Sequence, residues 1–217
     1  MAAIGVIHGL GGTGATVQPL ADLLTAHGHA VQVVTLPGHG TDPEDLVGVG
    51  WSEWLAAVPH AEVLVGQSMG ASLALTVAAV NPHVRLVVAI NPPMADEDAL
   101  DGLQWRQSRG HEWIDGPELA EGEVGYARLP IAALIEMVEG VHALDLDAVT
   151  VPVLLVHGAL DDSTEEMSLD VVAENLGGPV MRLVLPNSGH VATLGPDLPL
   201  LAATIDEVLA DIPTDPR

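Results

Sequence analysis

The chain contains no cysteine, no lysine and no phenylalanine, and only one tyrosine. Without cysteine there is no disulfide framework, no thiolate metal site and no cysteine nucleophile. Without lysine a Walker-type phosphate loop is impossible. Aromatic residues make up 2% of the 217, so a modest aliphatic pocket is expected rather than a long aromatic-lined lipid channel. Basic residues are scarce: six arginines stand against 30 Asp and Glu, giving a formal net charge of −24 and a pI near 4.3. That charge repels the phosphate backbone of nucleic acids and opposes docking on anionic membranes. It keeps a chain soluble while making the compact state repel itself, which fits either adaptation to high salt or a composition bias favouring Ala, Gly and Arg. No stretch reaches the ~18 apolar residues of a membrane span, so no stable membrane insertion is expected. No fixed-period repeat is present, which excludes collagen-like and solenoid architectures.

What is there points to a packed globular chain. The residues are 48% hydrophobic and 17% charged, enough apolar material for a real core. The length fits one domain with an inserted lobe better than two equal domains. Met1 to Ile7 carries no basic region and reads as a first strand, not a signal peptide, so the default location is cytoplasmic. Short apolar runs follow at Ile4–Ile7, Ala30–Thr35, Val63–Val65, Val84–Ile90, Val151–Val156 and Met181–Leu185. Helix-period segments alternate with them, at 17–27, 51–57, 71–79 and 199–210. Near-continuous hydrophobic strands alternating with helices predict an α/β fold: a mostly parallel sheet with helices on both faces. Residues 93–149 break the rhythm with two tryptophans, Trp105 and Trp113, the lone Tyr126 and many acids. We read them as a small helical cap inserted before the acid-bearing strand, with 1–92 and 150–217 as the core. The plainer alternative is two ordinary crossover helices and a decorated loop.

The strongest motif is Gly66-Gln67-Ser68-Met69-Gly70, a G-x-S-x-G between an apolar strand and a helical pattern. Such a turn projects a serine nucleophile at a helix N-terminus, and the two glycines clear space for passing backbone. The plainer role for Ser68 is a helix N-cap. A serine needs a general base, and His190, after the 181–185 strand and preceded by Gly189, has the right topological place. The other nine histidines fall in helices, polar connections or strand-end loops. An acid must orient that base. Asp161, just beyond the 151–156 strand, is favoured by spacing, with the adjacent Asp162 as competitor. Two backbone donors are needed for an oxyanion, and the N–H groups of Leu10 and Met69 are the candidates. The loop Gly9-Leu10-Gly11-Gly12-Thr13-Gly14 is formally G-x-G-x-x-G. A dinucleotide site would want an acid at the end of the second strand, which instead runs Val34-Thr35-Leu36-Pro37.

Together these residues resemble the α/β-hydrolase family, in particular its small bacterial carboxylesterases and monoacylglycerol lipases. The likeness is carried by His8-Gly9-Leu10-Gly11-Gly12, Leu36-Pro37-Gly38-His39-Gly40, the Gly66–Gly70 motif, Leu144–Pro152, His157-Gly158-Ala159-Leu160-Asp161 and Ser188-Gly189-His190-Val191. It implies an α/β-hydrolase fold whose first strand here matches the third of the usual eight. It implies acyl transfer by Ser68, Asp161 and His190, and an oxyanion hole at Leu10 and Met69. An acyl pocket under the cap is expected to be walled by Leu10, Met69, Leu103, Trp105, Leu134, Met137 and Val191. Thr164 departs from the family, which often has an apolar residue there. The expected activity is hydrolysis of short-to-medium acyl esters, possibly monoacylglycerols, through an acyl-enzyme. The partner is then a small-molecule acyl ester, and the protein a monomer or small homo-oligomer. The same machinery would serve a thioester, amide, lactone or carbon–carbon bond. A non-catalytic binding protein on this fold would be expected to lack one of the three residues. Serine chemistry needs no cofactor and no metal, although ten histidines and 30 carboxylates leave zinc open by count.

Overall fold

The computed structural model describes residues 1–117, 119, 122–164 and 166–212. Residues 118, 120 and 121 of the expected cap and 165 and 213–217 of the expected core lie outside that set. In chain order the elements are β1 (Ala3–Ile7), α1 (Gly14–Ala26), β2 (Ala30–Val34), α2 (Trp51–Ala56), β3 (Val63–Gln67), α3 (Met69–Val80), β4 (Leu86–Ile90), α4 (Glu97–Ser108), β5 (Trp113–Asp115), β6 (Arg128–Pro130), α5 (Ile131–His142), β7 (Val153–Gly158), α6 (Glu166–Asn175), β8 (Val180–Leu185) and α7 (Leu198–Asp211).

Six strands form one sheet in the order β2-β1-β3-β4-β7-β8, with every pairing parallel. The central strands β3, β4 and β7 are buried at every position, which is why they read as unbroken apolar runs. The edge strands β2 and β8 are only partly covered. Alternate residues feed two cores, as the period-two pleat requires. Ile4, Val6, Val63, Val65, Val88 and Val156 pack with α1 and α7 through Val17, Leu20, Leu24, Leu201 and Ile205. Leu64, Val87, Ala89 and Leu155 pack on the other face with Trp54, Leu73, Leu169 and Val172.

The chain leaves β1 for β2 on one side and returns to β3 on the other. That reversal opens a crevice beyond the carboxyl ends of β1 and β3, the usual ligand position in open α/β sheets. The segment between β4 and β7 is not wholly helical, contrary to expectation. Besides α4 and α5 it holds an antiparallel pair, β5 with β6, in the register Trp113↔Pro130. Three residues per strand are too few for a clear alternating pattern. α5 is fixed to the core at α2, where Trp51 packs flat on Gly140 and its N–H donates to Glu136 Oε2 at 3.1 Å.

Candidate active site

β3 runs straight into Ser68, which stands at φ 55° and ψ −123° before α3. A positive φ at a non-glycine residue is strained, by about 1–3 kcal/mol, and the packing around the turn holds it. A Cβ at Gly66 would lie 2.1 Å from the Gly70 carbonyl oxygen, and one at Gly70 would lie 2.5 Å from that of Ile7. Both glycines are therefore dictated by backbone crossing backbone. The Ser68 N–H is tied to the Ile90 carbonyl at 2.8 Å. Its side chain makes no capping hydrogen bond, so the N-cap role is not adopted. Met69 is fully buried in the core and opens α3, where helix N–H groups lack intrahelical partners.

The loop after β1 passes against this turn: a Cβ at Gly9 would sit 3.1 Å from Ser68 Cβ. His8 holds the loop from below. Its Nδ1 donates to the Gly9 carbonyl at 2.7 Å, and its Nε2 accepts from the Leu36 N–H at 3.0 Å. Tyr126, from the connection between β5 and β6, holds it from above. Its N–H donates to the Gly11 carbonyl at 3.0 Å. Its hydroxyl donates to the Gly38 carbonyl at 3.0 Å and accepts from the Thr41 N–H at 3.1 Å. The Tyr126 ring stacks on His39 at 6.3 Å between centroids.

His190 Nδ1 stands 3.0 Å from both carboxylate oxygens of Asp161. The Asp161 side chain is fully enclosed, whereas that of His190 is 23% exposed. Asp161 Oδ1 also accepts from the N–H groups of Ser163, at 2.8 Å, and Thr164, at 3.0 Å. Burial pulls the Asp161 carboxyl upward. The hydrogen bond and charge of His190 and the two N–H donors outweigh it, so its pKa lies below the usual range and it stays ionised. Asp162 is exposed and accepts from the Ser163 hydroxyl at 3.2 Å; it does not reach His190. Thr164 Oγ1 lies 3.5 Å from His190 Nδ1, which gives the departure at this position a place beside the acid–base pair.

Ser68 and His190 face one cavity of about 260 Å³ between the β1 loop and the segment joining β4 to β7. Its apolar wall includes Leu10, Tyr126, Leu129, Leu134, Met137 and Val191. Leu103 and Trp105, expected in this wall, are not there. Both lie on α4, which buries none of its residues, and Trp105 is 59% exposed. Met69, also expected in this wall, does not line the cavity, because its side chain is buried in the core. Glu123 also borders the cavity, and among the described residues no arginine does. Among the described residues no group of three or more His, Asp or Glu could hold a metal ion, and no helix is long and apolar enough to cross a membrane.

Sequence reasoning missed the polar supports. Asp197 accepts from the Asn187 N–H at 2.7 Å, the Asn187 side chain at 3.0 Å and the Ser188 hydroxyl at 2.9 Å, bracing the turn that carries His190. These bonds, that from the Asn187 side chain foremost, keep the Asp197 carboxyl below its ordinary range. Asn91 is a second support. Only the position of Asp197 just before α7 could have marked it as more than a surface acid.

The family model described as "Alpha/beta hydrolase family" matches residues 6–203. The chain is 26% identical over 216 residues to a thermostable monoacylglycerol lipase of Bacillus sp. (strain H-257), covering 90% of this chain and 85% of the lipase. A pimeloyl-[acyl-carrier protein] methyl ester esterase of Xanthomonas campestris pv. campestris is 31% identical over 119 residues, 54% of this chain and 42% of the esterase. Among solved structures, one from work on the metagenome-derived lipolytic enzymes LipS and LipT superposes with a TM-score of 0.87 at 24% identity, covering 96% of this chain and 93% of that one.

Proposed function

The chain belongs to the alpha/beta hydrolase family, and on that premise we propose that it is a serine carboxylic-ester hydrolase acting through an acyl-enzyme. One observation carries the reading: an enclosed Asp161 bonded to His190 Nδ1 at 3.0 Å, beside a strained Ser68 on a shared apolar cavity. The Asp161 bond places the proton on His190 Nδ1, leaving Nε2 as the basic nitrogen. His190 takes the Ser68 proton as Oγ bonds to the ester carbonyl carbon, and the carbonyl electron pair moves to oxygen. The oxyanion sits on the N–H groups of Leu10 and Met69. It collapses, the C–O bond breaks, and His190 returns its proton to the departing alcohol. Water, deprotonated by the same histidine, then releases the acid and restores Ser68.

In this reading residues 93–149 are a cap, and its Tyr126, Leu129, Leu134 and Met137 shape the acyl side. The cavity, about 260 Å³, lies near the lower edge of small-molecule sites, roughly 300–1,000 Å³, and suits a short-to-medium acyl chain. Likeness to the Bacillus monoacylglycerol lipase supports monoacylglycerols as the natural class. The test is hydrolysis of p-nitrophenyl esters from acetate to laurate, beside Ser68→Ala, at low and high salt. Turnover lost in the variant supports the reading, and the chain-length optimum sizes the pocket. A folded protein with no Ser68-dependent turnover on any ester would overturn it.

A further inference from the structure

Asn91 follows β4 and is wholly buried. Besides Ser68 it is the only non-glycine with positive φ among the described residues, at 46°. Asparagine is among the few residues that tolerate this region. Its side chain spends all its hydrogen bonds on backbone. Oδ1 accepts from the Gly158 N–H at 2.9 Å, and Nδ2 donates to the carbonyls of Gly189 at 3.2 Å and His190 at 2.7 Å. An N–H needs an acceptor and two carbonyls need donors, so a neutral carboxamide fits and its orientation is fixed. The main chain extends the junction. The Asn91 N–H donates to the Val156 carbonyl at 2.9 Å, and the preceding carbonyl, of Ile90, takes the Ser68 N–H at 2.8 Å.

One residue thus touches the end of the strand leading to Asp161 and the turn bearing His190, and adjoins the tether of Ser68. We propose that Asn91 is a positioning residue that sets the spacing of the Asp161 and His190 turns about Ser68. Its rate consequences rest on the hydrolase reading above. Displacing a catalytic group by about 1 Å can cost roughly 100-fold in rate, and the His190 carbonyl is its shortest bond. Asn91→Asp keeps the size and the acceptor for Gly158, but turns a carboxylate oxygen toward two carbonyl oxygens. Asn91→Gly removes all three side-chain bonds while relieving the positive φ.

Both variants and the parent are compared, as full chains, by kcat and KM on the best p-nitrophenyl ester. The second readout is the downfield ¹H resonance of the imidazole proton between His190 and Asp161, assigned by its loss in His190→Gln. Near-UV circular dichroism checks folding at the assay temperature. Asn91→Asp is expected to lower kcat by roughly 100-fold, to leave KM within about threefold, and to shift or abolish the resonance. A residue that only stabilises the fold would lower the melting temperature and leave both readouts alone. Should Asn91→Asp not fold, Asn91→Gly carries the test, with a smaller fall in kcat in the same direction. A folded variant with parental kcat and an unmoved resonance overturns the proposal. If the parent turns over no ester, the hydrolase reading fails separately, and the resonance alone then decides: moved supports positioning, unmoved refutes it.

Discussion

His8 is fully buried beneath the loop that carries Leu10, and its two nitrogens have partners of opposite kind. The Gly9 carbonyl requires a proton on Nδ1, and the Leu36 N–H requires a lone pair on Nε2. Only the neutral ring satisfies both. Its pKa is pushed down to about 4, chiefly by burial, with the Gly9 carbonyl pulling upward and His39 adding a further downward push. The unfolded chain protonates this histidine near pH 6.5. Between those values the unfolded state binds a proton that the folded state refuses, so stability rises with pH across the window. The contribution is present above 6.5 and is lost as pH falls toward 4.

The shift corresponds to about 3 kcal/mol in full, and about 2.5 kcal/mol of it is lost between pH 7 and 4.5. With a urea m-value of about 2 kcal/mol per M, the unfolding midpoint drops by about 1 M. Carboxylates titrate in the same experiment, so the reading comes from a difference. His8→Gln offers an amide donor and acceptor but no titration, and leaves His39 in place. Urea midpoints of parent and variant, followed from pH 7 to 4.5, should diverge by about 1 M, the parent losing more. Parallel curves would refute the claim that the loop depends on a neutral His8.

Gly70→Ala drives a Cβ to 2.5 Å from the Ile7 carbonyl and 2.7 Å from that of His8, both rigid backbone. We expect a loss of ~3 kcal/mol in chemical denaturation; a near-neutral result would show that the turn can relax. Tyr126→Phe keeps the ring on His39 and removes the hydroxyl between Gly38 and Thr41, with an expected cost of about 1–2 kcal/mol by the same assay. Met137→Ala enlarges the cavity wall and should move the ester optimum to longer chains. Trp105→Ala, on the outer helix, should leave the chain-length profile unchanged.

The sheet was legible because its central strands are buried on both faces, so Val63 to Val65 and Leu86 to Ile90 carry no polar interruption. The turn at Ser68 was legible because its glycines answer to a crowding that any side chain would violate. Asn91 and Tyr126 were not legible, and for one physical reason: their hydrogen-bond partners are backbone groups far off in sequence. Asn91 reaches Gly189 and His190 across 98 and 99 positions, and Tyr126 reaches Gly38 across 88. Backbone carbonyls are the same at every residue and leave no mark in the sequence. Leu103 and Trp105 show the opposite error. Their apolar character marked them as wall, but α4 lies outside the cavity, where Leu103 is half-buried and Trp105 is exposed.

The choice between Asp161 and Asp162 shows what a turn decides that spacing does not. Both precede Ser163 and Thr164, and either carboxylate could accept the N–H groups two and three residues on, as aspartates in turns do. The Asp161 N–H donates to the Gly158 carbonyl at 2.9 Å, so the chain turns at once off the end of β7 and keeps Asp161 against the sheet. Its carboxylate then takes both downstream N–H groups and still presents two oxygens to His190 at 3.0 Å. One residue later the chain has moved outward, and Asp162 faces solvent. The N–H groups of Ser163 and Thr164 therefore do more than close a turn. Together with the larger effect of the His190 hydrogen bond and charge, they keep the enclosed carboxylate ionised. In the proposed reaction the negative charge that stabilises protonated His190 is then already in place when Ser68 attacks. Protonating Asp161 would remove that charge and weaken the acceptor for Nδ1–H, so in the proposed reaction the acid limb and the orientation of His190 depend on the same carboxylate.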